Sequence, residues 1–191
     1  MSALSKFVAR LADLLKEDSL FLASELTDDD GLLVLTEDEV GQPVRKIKLK
    51  DVPAEARVIK IDNFDLNGRF VQTGGGSDLG KRCDYVIVDA QNSKILLIEL
   101  KLGTKSSGDR QQVVSQLKGG RAVIDYLLAL IAHFHNENIE VSSPQFRYAW
   151  ITYRESTSQK SASRDNGRDI DSPLRIKNAQ KRPYSYKKMV R

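Results

Sequence analysis

"CDYVIVDAQNSKILLIELK" (Cys83–Lys101) is the stretch whose reading decides the fold. Its halves are Val-, Ile- and Leu-rich runs separated by the short polar segment Ala90–Ser93, the pattern of two strands joined by a tight turn. Pairing across that turn sets Asp89 opposite Lys94 and, counting outward, Asp84 opposite Glu99. Strand side chains alternate between faces, so Asp84, Val86 and Val88 share a face with Ile95, Leu97 and Glu99. Lys101 projects from that face too. Two carboxylates and an amine therefore gather at one end of an otherwise apolar hairpin.

Carboxylates facing each other across a sheet repel, and a divalent cation would remove the penalty. Mg²⁺ is commonly held by one or two carboxylates, with water and substrate phosphate filling its other positions. Such an ion makes hydroxide available near neutral pH and stabilises charge on a phosphoryl oxygen. Lys101 is placed to orient or deprotonate the attacking water. Burial would lower its pKa and the carboxylates would raise it, and the residue order alone leaves that balance open.

Immediately upstream, "GGSDLGK" (Gly75–Lys81) matches the opening of a phosphate-binding loop. That motif needs Ser or Thr after the lysine and a helix beyond it, whose N-terminal amides bind the phosphates. Here Arg82 follows Lys81 and a strand follows Arg82. The glycine run is thus expected to be a connection into the strand carrying Asp84, not a nucleotide triphosphate site.

Further out the period changes. Leu4, Phe7, Val8, Leu11, Leu14 and Leu15 form one apolar stripe of an N-terminal helix, with "LFLASEL" either extending it or packing beside it. "GLLVLTEDE" and "VRKIKLKD" flank "VGQP" as a hairpin, and "ARVIKID" and "GRFVQT" are further strands. Downstream, Val113, Val114, Leu117, Ile124, Leu127, Leu128 and Ile131 predict a long helix from about Asp109 to Phe134. "FRYAWITY" (Phe146–Tyr153) is a last strand, and the remainder shows no sustained period. The expected fold is α/β (α+β), a mixed sheet with helices packed on it.

The hairpin and its surroundings resemble the PD-(D/E)xK nuclease superfamily, which includes restriction endonucleases, Holliday-junction resolvases and many repair and defence nucleases. The resemblance rests on Asp84 and, fifteen residues on, Glu99-Leu100-Lys101, with Cys83 where the motif's name has Pro, a position that varies in the family. It implies a restriction-endonuclease-like core in the order α-β-β-β-α-β between Ser2 and Tyr153, with an added N-terminal hairpin. It also implies that the Leu100 carbonyl joins Asp84 and Glu99 at the metal, Mg²⁺ or in its place Mn²⁺. Many members add a polar residue from the second helix, for which Gln112 and Gln116 are the candidates and Gln116 the preferred one. Many also add an acid from the first helix, for which Glu17 and Glu25 compete, Glu17 reading more simply as part of a solvated face. Lys81, Arg82, Lys105, Arg110, Lys118 and Arg121 would hold phosphates without reading bases.

Composition agrees with this class and excludes others. The 191 residues, 40% hydrophobic and 29% charged, are expected to form one domain over 1–153, followed by a basic segment, 154–191. That segment carries eleven Lys/Arg against four Asp/Glu, whereas the preceding residues have nineteen against twenty-two. A basic tail on a near-neutral body suits a polyanionic partner, here nucleic acid and DNA in preference to RNA. No apolar run approaches a membrane span, and the single cysteine, Cys83, fits a reducing, cytoplasmic compartment and a packing role. His133 and His135 point to different sides of a helix, Tyr148 and Trp150 read as core, and "TEDE" (Thr36–Glu39) and "TDDDG" (Thr27–Gly31) read as acidic turns. No separate sequence-reading module is present, so a homodimer or partner protein would supply targeting. The competing expectations are a non-cleaving nuclease-like subunit and a structural protein docking through its basic tail.

Overall fold

A computed structural model of the chain describes residues 2–37, 45–61, 80–102, 107–142, 145–153, 167–177 and 182–191. The expected "VGQP" turn, the "GRFVQT" strand, most of the glycine run and Lys105 lie outside these residues.

Helix α1 (Ala3–Leu14) starts at Ser2, whose Oγ accepts the Ser5 amide at 3.1 Å, and buries Leu4, Phe7 and Leu11 as its stripe requires. "LFLASEL" does not extend it. Leu20–Leu22 is strand β1, and Ala23–Leu26 a single 3₁₀ turn. Strands β2 (Leu33–Glu37) and β3 (Arg45–Lys50) pair antiparallel, as the hairpin pattern predicts. Strand β4 is Arg57–Lys60, β5 is Tyr85–Asp89 and β6 is Lys94–Leu102. Helix α2 spans Ser107–His135 and β7 Phe146–Tyr153.

After β7 the structure departs from the sequence reading. Residues 174–177 form strand β8 (Leu174–Lys177), followed by β9 (Tyr184–Ser185) and a one-turn helix α3 (Tyr186–Met189). Strands of four and two residues are too short for a hydrophobic period to show, which is why this segment reads as irregular.

The main sheet has the order β1-β4-β5-β6-β7-β8 and the smaller one β2-β3-β9. Pairing is antiparallel from β1 through β6 and parallel across β6-β7-β8, so the sheet is mixed. Within the β5–β6 hairpin, Asp89 stands opposite Lys94 and Tyr85 opposite Ile98, the expected register. The Asp89 carboxylate organises the turn, accepting Asn92 N at 3.0 Å and Asn92 Nδ2 at 2.7 Å.

All five residues of β5 are buried because the sheet is covered on both faces. One face packs Val86, Val88, Ile95, Leu97, Phe146 and Trp150 under α1 and α2. The other packs Tyr85, Ile87, Leu96, Ile98 and Leu100 against the smaller sheet, with Tyr186 and Met189 in the same core. The layers are helices, main sheet and small sheet. Among the described residues no helix is long and apolar enough to cross a membrane.

Candidate active site

The β5–β6 ladder ends at Tyr85–Ile98, one residue short of the expected Asp84–Glu99 pair. Asp84 still donates its amide to Ile98 O at 3.2 Å, but its side chain turns along β6. Asp84 Oδ2 accepts the Leu100 amide at 2.6 Å, supplying the acceptor that β5 no longer offers there. The acids are thus neighbours at one strand end without standing face to face in a ladder.

Glu99 is fully buried, and Lys101 Nζ forms an ion pair with its Oε1 at 2.8 Å. Glu99 Oε2 has no hydrogen-bond partner among the described residues. Burial first, and then the Asp84 charge, push the Glu99 carboxyl up to about 9, against the opposing pull of Lys101. For Lys101 burial acts to lower the pKa, but Glu99, Asp84 and Glu37 together outweigh it and leave the ammonium more firmly protonated than usual. The balance that the residue order left open falls on the side of the charges.

Helix α2 closes over this end of the sheet through two glycines. A Cβ on Gly119 would lie 1.7 Å from Lys81 O, and one on Gly120 would lie 2.2 Å from Cys83 Sγ and 3.2 Å from Leu97 Cδ2. Because β6 and β7 are parallel, the intervening helix runs back against them. One turn before Gly120, about 6 Å along the axis, stands Gln116. Two residues beyond Leu97, about 6.6 Å along the strand, stands Glu99. Gln116 therefore lies level with Glu99, and its Oε1 is buried with no hydrogen-bond partner among the described residues. Gln112, a turn further out, is exposed. Cys83 is a buried thiol pushed up by desolvation and then by Glu99 and Asp84, in keeping with packing rather than nucleophilic chemistry.

The candidates for an additional acid fare differently. Glu17 lies exposed beyond the end of α1. The Glu25 carboxylate accepts the Leu22 amide at 2.6 Å and serves as a local cap. The acid whose charge bears on both Glu99 and Lys101 is Glu37, at the end of β2. Tyr85, next to Asp84, ties that strand end down: its hydroxyl donates to Thr36 O and accepts Thr36 N at 3.2 Å. "TEDE" reads as an acidic turn, but Glu37 has the parity of Leu33 and Leu35, which are buried. A charge at an inward position of an alternating strand is the signal that would have found it.

Of the expected phosphate contacts, Lys81 and Arg82 precede Asp84, and Arg82 Nε is buried with no hydrogen-bond partner among the described residues. Arg110 donates to Asp171 O at 2.9 Å, and Lys118 pairs with Asp171 at 2.8 Å. Arg121 bonds Asp125 at 2.9 Å and lies 3.5 Å over the Phe146 ring, toward the opposite end of the sheet from Glu99. Of the two histidines near the end of α2, His133 is exposed and meets Phe134 edge-on. Among the described residues no group of three or more His, Cys, Asp or Glu side chains is spaced to hold a metal. What the site has is a carboxylate pair with an ammonium beside it.

Comparison with protein-family models, with curated proteins and with solved structures gives no match.

Proposed function

We propose that this protein is a Mg²⁺-dependent nuclease of the PD-(D/E)xK kind, hydrolysing phosphodiester bonds of nucleic acid, DNA in preference to RNA. The observation that carries the reading is Glu99, a buried carboxyl beside Asp84 with Oε1 held by Lys101 and Oε2 without a hydrogen-bond partner among the described residues. Native proteins seldom leave a buried carboxylate so poorly satisfied unless something else completes it. In support, once β1, the 3₁₀ turn, β2 and β3 between α1 and β4 are set aside, α1, β4, β5, β6, α2 and β7 come in the α-β-β-β-α-β sequence that the resemblance implies.

The residues fit a divalent cation in chemistry. Asp84 and Glu99 are hard oxygen donors, a cation would let the Glu99 carboxyl ionise beside Asp84, and the Leu100 carbonyl would join them. When bound, Mg²⁺ supplies a nucleophilic water near neutral pH and charge stabilisation at the phosphoryl oxygens.

The chain's own groups then have distinct tasks. Lys101, holding its proton, orients the nucleophile and donates to the phosphate rather than acting as the base. The Gln116 amide orients the same water or a phosphate oxygen from the helix side. The Asp84 bond to Leu100 N keeps the Glu99–Lys101 stretch of β6 in place. Restriction of foreign DNA and repair or recombination are the pathways in which such an activity would serve.

A second reading, a non-cleaving nuclease-like binding subunit, draws on one observation: neither Glu17 nor Glu25 adds an acid to the site in the way a complete member would. A cleavage panel of labelled single-stranded, duplex and branched DNA plus RNA, with and without Mg²⁺, separates the two. The nuclease reading expects Mg²⁺-dependent cleavage that Lys101→Ala abolishes while leaving the thermal melt intact. Equal products from both proteins would overturn it.

A further inference from the structure

Across the parallel half of the main sheet, Glu99 on β6 is in register with Trp150 on β7, and Trp150 with Arg175 on β8. In-register residues project from the same face, so a row runs from the acidic pair through an indole to a guanidinium, on the face that α2 covers. Trp150 is only 4% exposed, yet its Nε1 has no hydrogen-bond partner among the described residues. The Arg175 guanidinium lies 4.2 Å over the Trp150 ring, and its Nε is likewise buried with no partner among the described residues. A buried donor left unpaired forfeits the water it gave up on folding without replacement.

Two adjacent donors without an acceptor among the described residues, one of them cationic, call for an anionic one. The geometry points to a phosphodiester-binding subsite formed by Trp150 Nε1 and Arg175, holding the nucleic-acid phosphate next to the one at Glu99. Glu99 and Arg175 are two strand spacings apart, about 9–10 Å, so the acidic pair and the guanidinium serve different phosphates. The ring fixes the guanidinium by a cation–π contact, and a pre-placed arginine binds a phosphate through two parallel hydrogen bonds. Arg175 lies in the C-terminal segment, outside the α-β-β-β-α-β core, so the subsite is an addition of this chain to that core. As a substrate site it rests on the nuclease reading; as an anion site it stands on the two donors.

The test is fluorescence anisotropy of a labelled single-stranded oligonucleotide in Ca²⁺, with salt titrations, alongside thermal melts of each free protein. Arg175→Ala should weaken binding about tenfold or more and lower the salt slope by about 1. Trp150→Phe keeps the ring and removes only the N–H; it should also weaken binding while leaving the free protein's melt unchanged or raised. Wild-type affinity and salt slope in Arg175→Ala overturn the subsite, as does a lowered melt in Trp150→Phe, which would mean that the fold itself or a buried water satisfies the indole. The outcomes separate from those of the cleavage panel. Arg175-dependent binding without Mg²⁺-dependent cleavage leaves the subsite and removes the nuclease reading, and cleavage with Arg175-independent binding does the reverse.

Discussion

Asp84 Oδ2 stands 2.6 Å from the Leu100 amide nitrogen, so the first acid of the pair reaches past the second and holds the backbone between Glu99 and Lys101. The side chain has two separable properties, an acceptor and a charge. Asp84→Asn keeps an acceptor and removes the charge, so it should retain the wild-type melt while cleavage falls about 100-fold or more. Asp84→Ala removes both and should lose a further ~1–3 kcal/mol of stability for the unpaired amide. Urea denaturation of both variants beside initial cleavage rates checks the separation.

Glu99 should make stability depend on pH in a sense opposite to that of most carboxylates. Its folded value of about 9 lies above the ordinary 4.5, so the native state keeps a proton that the unfolded chain releases. Its contribution is therefore fully present below the unfolded value and is lost as pH rises through the folded one. In chelator, stability should decline between about pH 5 and pH 9, and Glu99→Gln should flatten that decline. Denaturant midpoints measured across the range decide it.

Mg²⁺ should compete with that proton. On the nuclease reading Mg²⁺ binds the folded chain alone, so at neutral pH saturating Mg²⁺ should raise the melting temperature and release protons as Glu99 ionises. Calorimetric titrations in buffers of different ionisation enthalpy measure the release. Glu99→Gln should abolish both effects, and Lys101→Ala should leave the proton release in place.

Gly120 is a steric contact that a single methyl would break. Its would-be Cβ lies 2.2 Å from Cys83 Sγ, so Gly120→Ala should push α2 off the strand entry and cost about 1–3 kcal/mol. Cys83→Ala vacates the sulfur's position, and the double variant should recover part of the loss. A double-mutant cycle of denaturation free energies should show a clear coupling; additivity would mean that the contact is relieved elsewhere.

Tyr186→Phe should destabilise from a distance in sequence. Tyr186 is fully buried and its hydroxyl donates to Asp89 Oδ2 at 3.1 Å, joining α3 to the β5–β6 turn. Removing the hydroxyl weakens the satisfaction of a buried carboxylate, at a cost of about 1–3 kcal/mol. Removing residues 182–191 should unfold the protein rather than merely weaken nucleic-acid binding, because Tyr186, Met189 and Val190 leave the core with them. Circular dichroism melts distinguish these outcomes.

The gathering of Asp84, Glu99 and Lys101 at one strand end was legible because they lie within one hairpin, although Asp84 and Glu99 do not pair in its ladder. A short turn fixes the register, and period two then assigns Asp84, Glu99 and Lys101 to a common end. Helix α2 was legible from Val113 to Ile131 for the same reason, a long uninterrupted period. Glu37 was not, because its approach is made between layers, through Tyr85 and Thr36, which lie 49 residues apart. Trp150 was read as core, correctly, but whether a buried donor finds an acceptor depends on neighbours that periodicity does not name. Strands β8 and β9 are too short to announce themselves, and each takes its conformation from the strand it joins.

Each sheet receives a strand from the same late stretch of chain, β8 in the larger and β9 in the smaller. Ser185 Oγ bonds Asp51 across 134 residues and Tyr186 bonds Asp89 across 97, so the closing contacts are among the most non-local in the molecule. A chain emerging from the ribosome can build the β5–β6 hairpin early, yet the larger sheet is incomplete until residues 174–177 dock and the smaller one until residues 184–185 do. Acquisition of the native state should accordingly be slow and late, with the open edges of β3 and β7 exposed to mispairing in the interval.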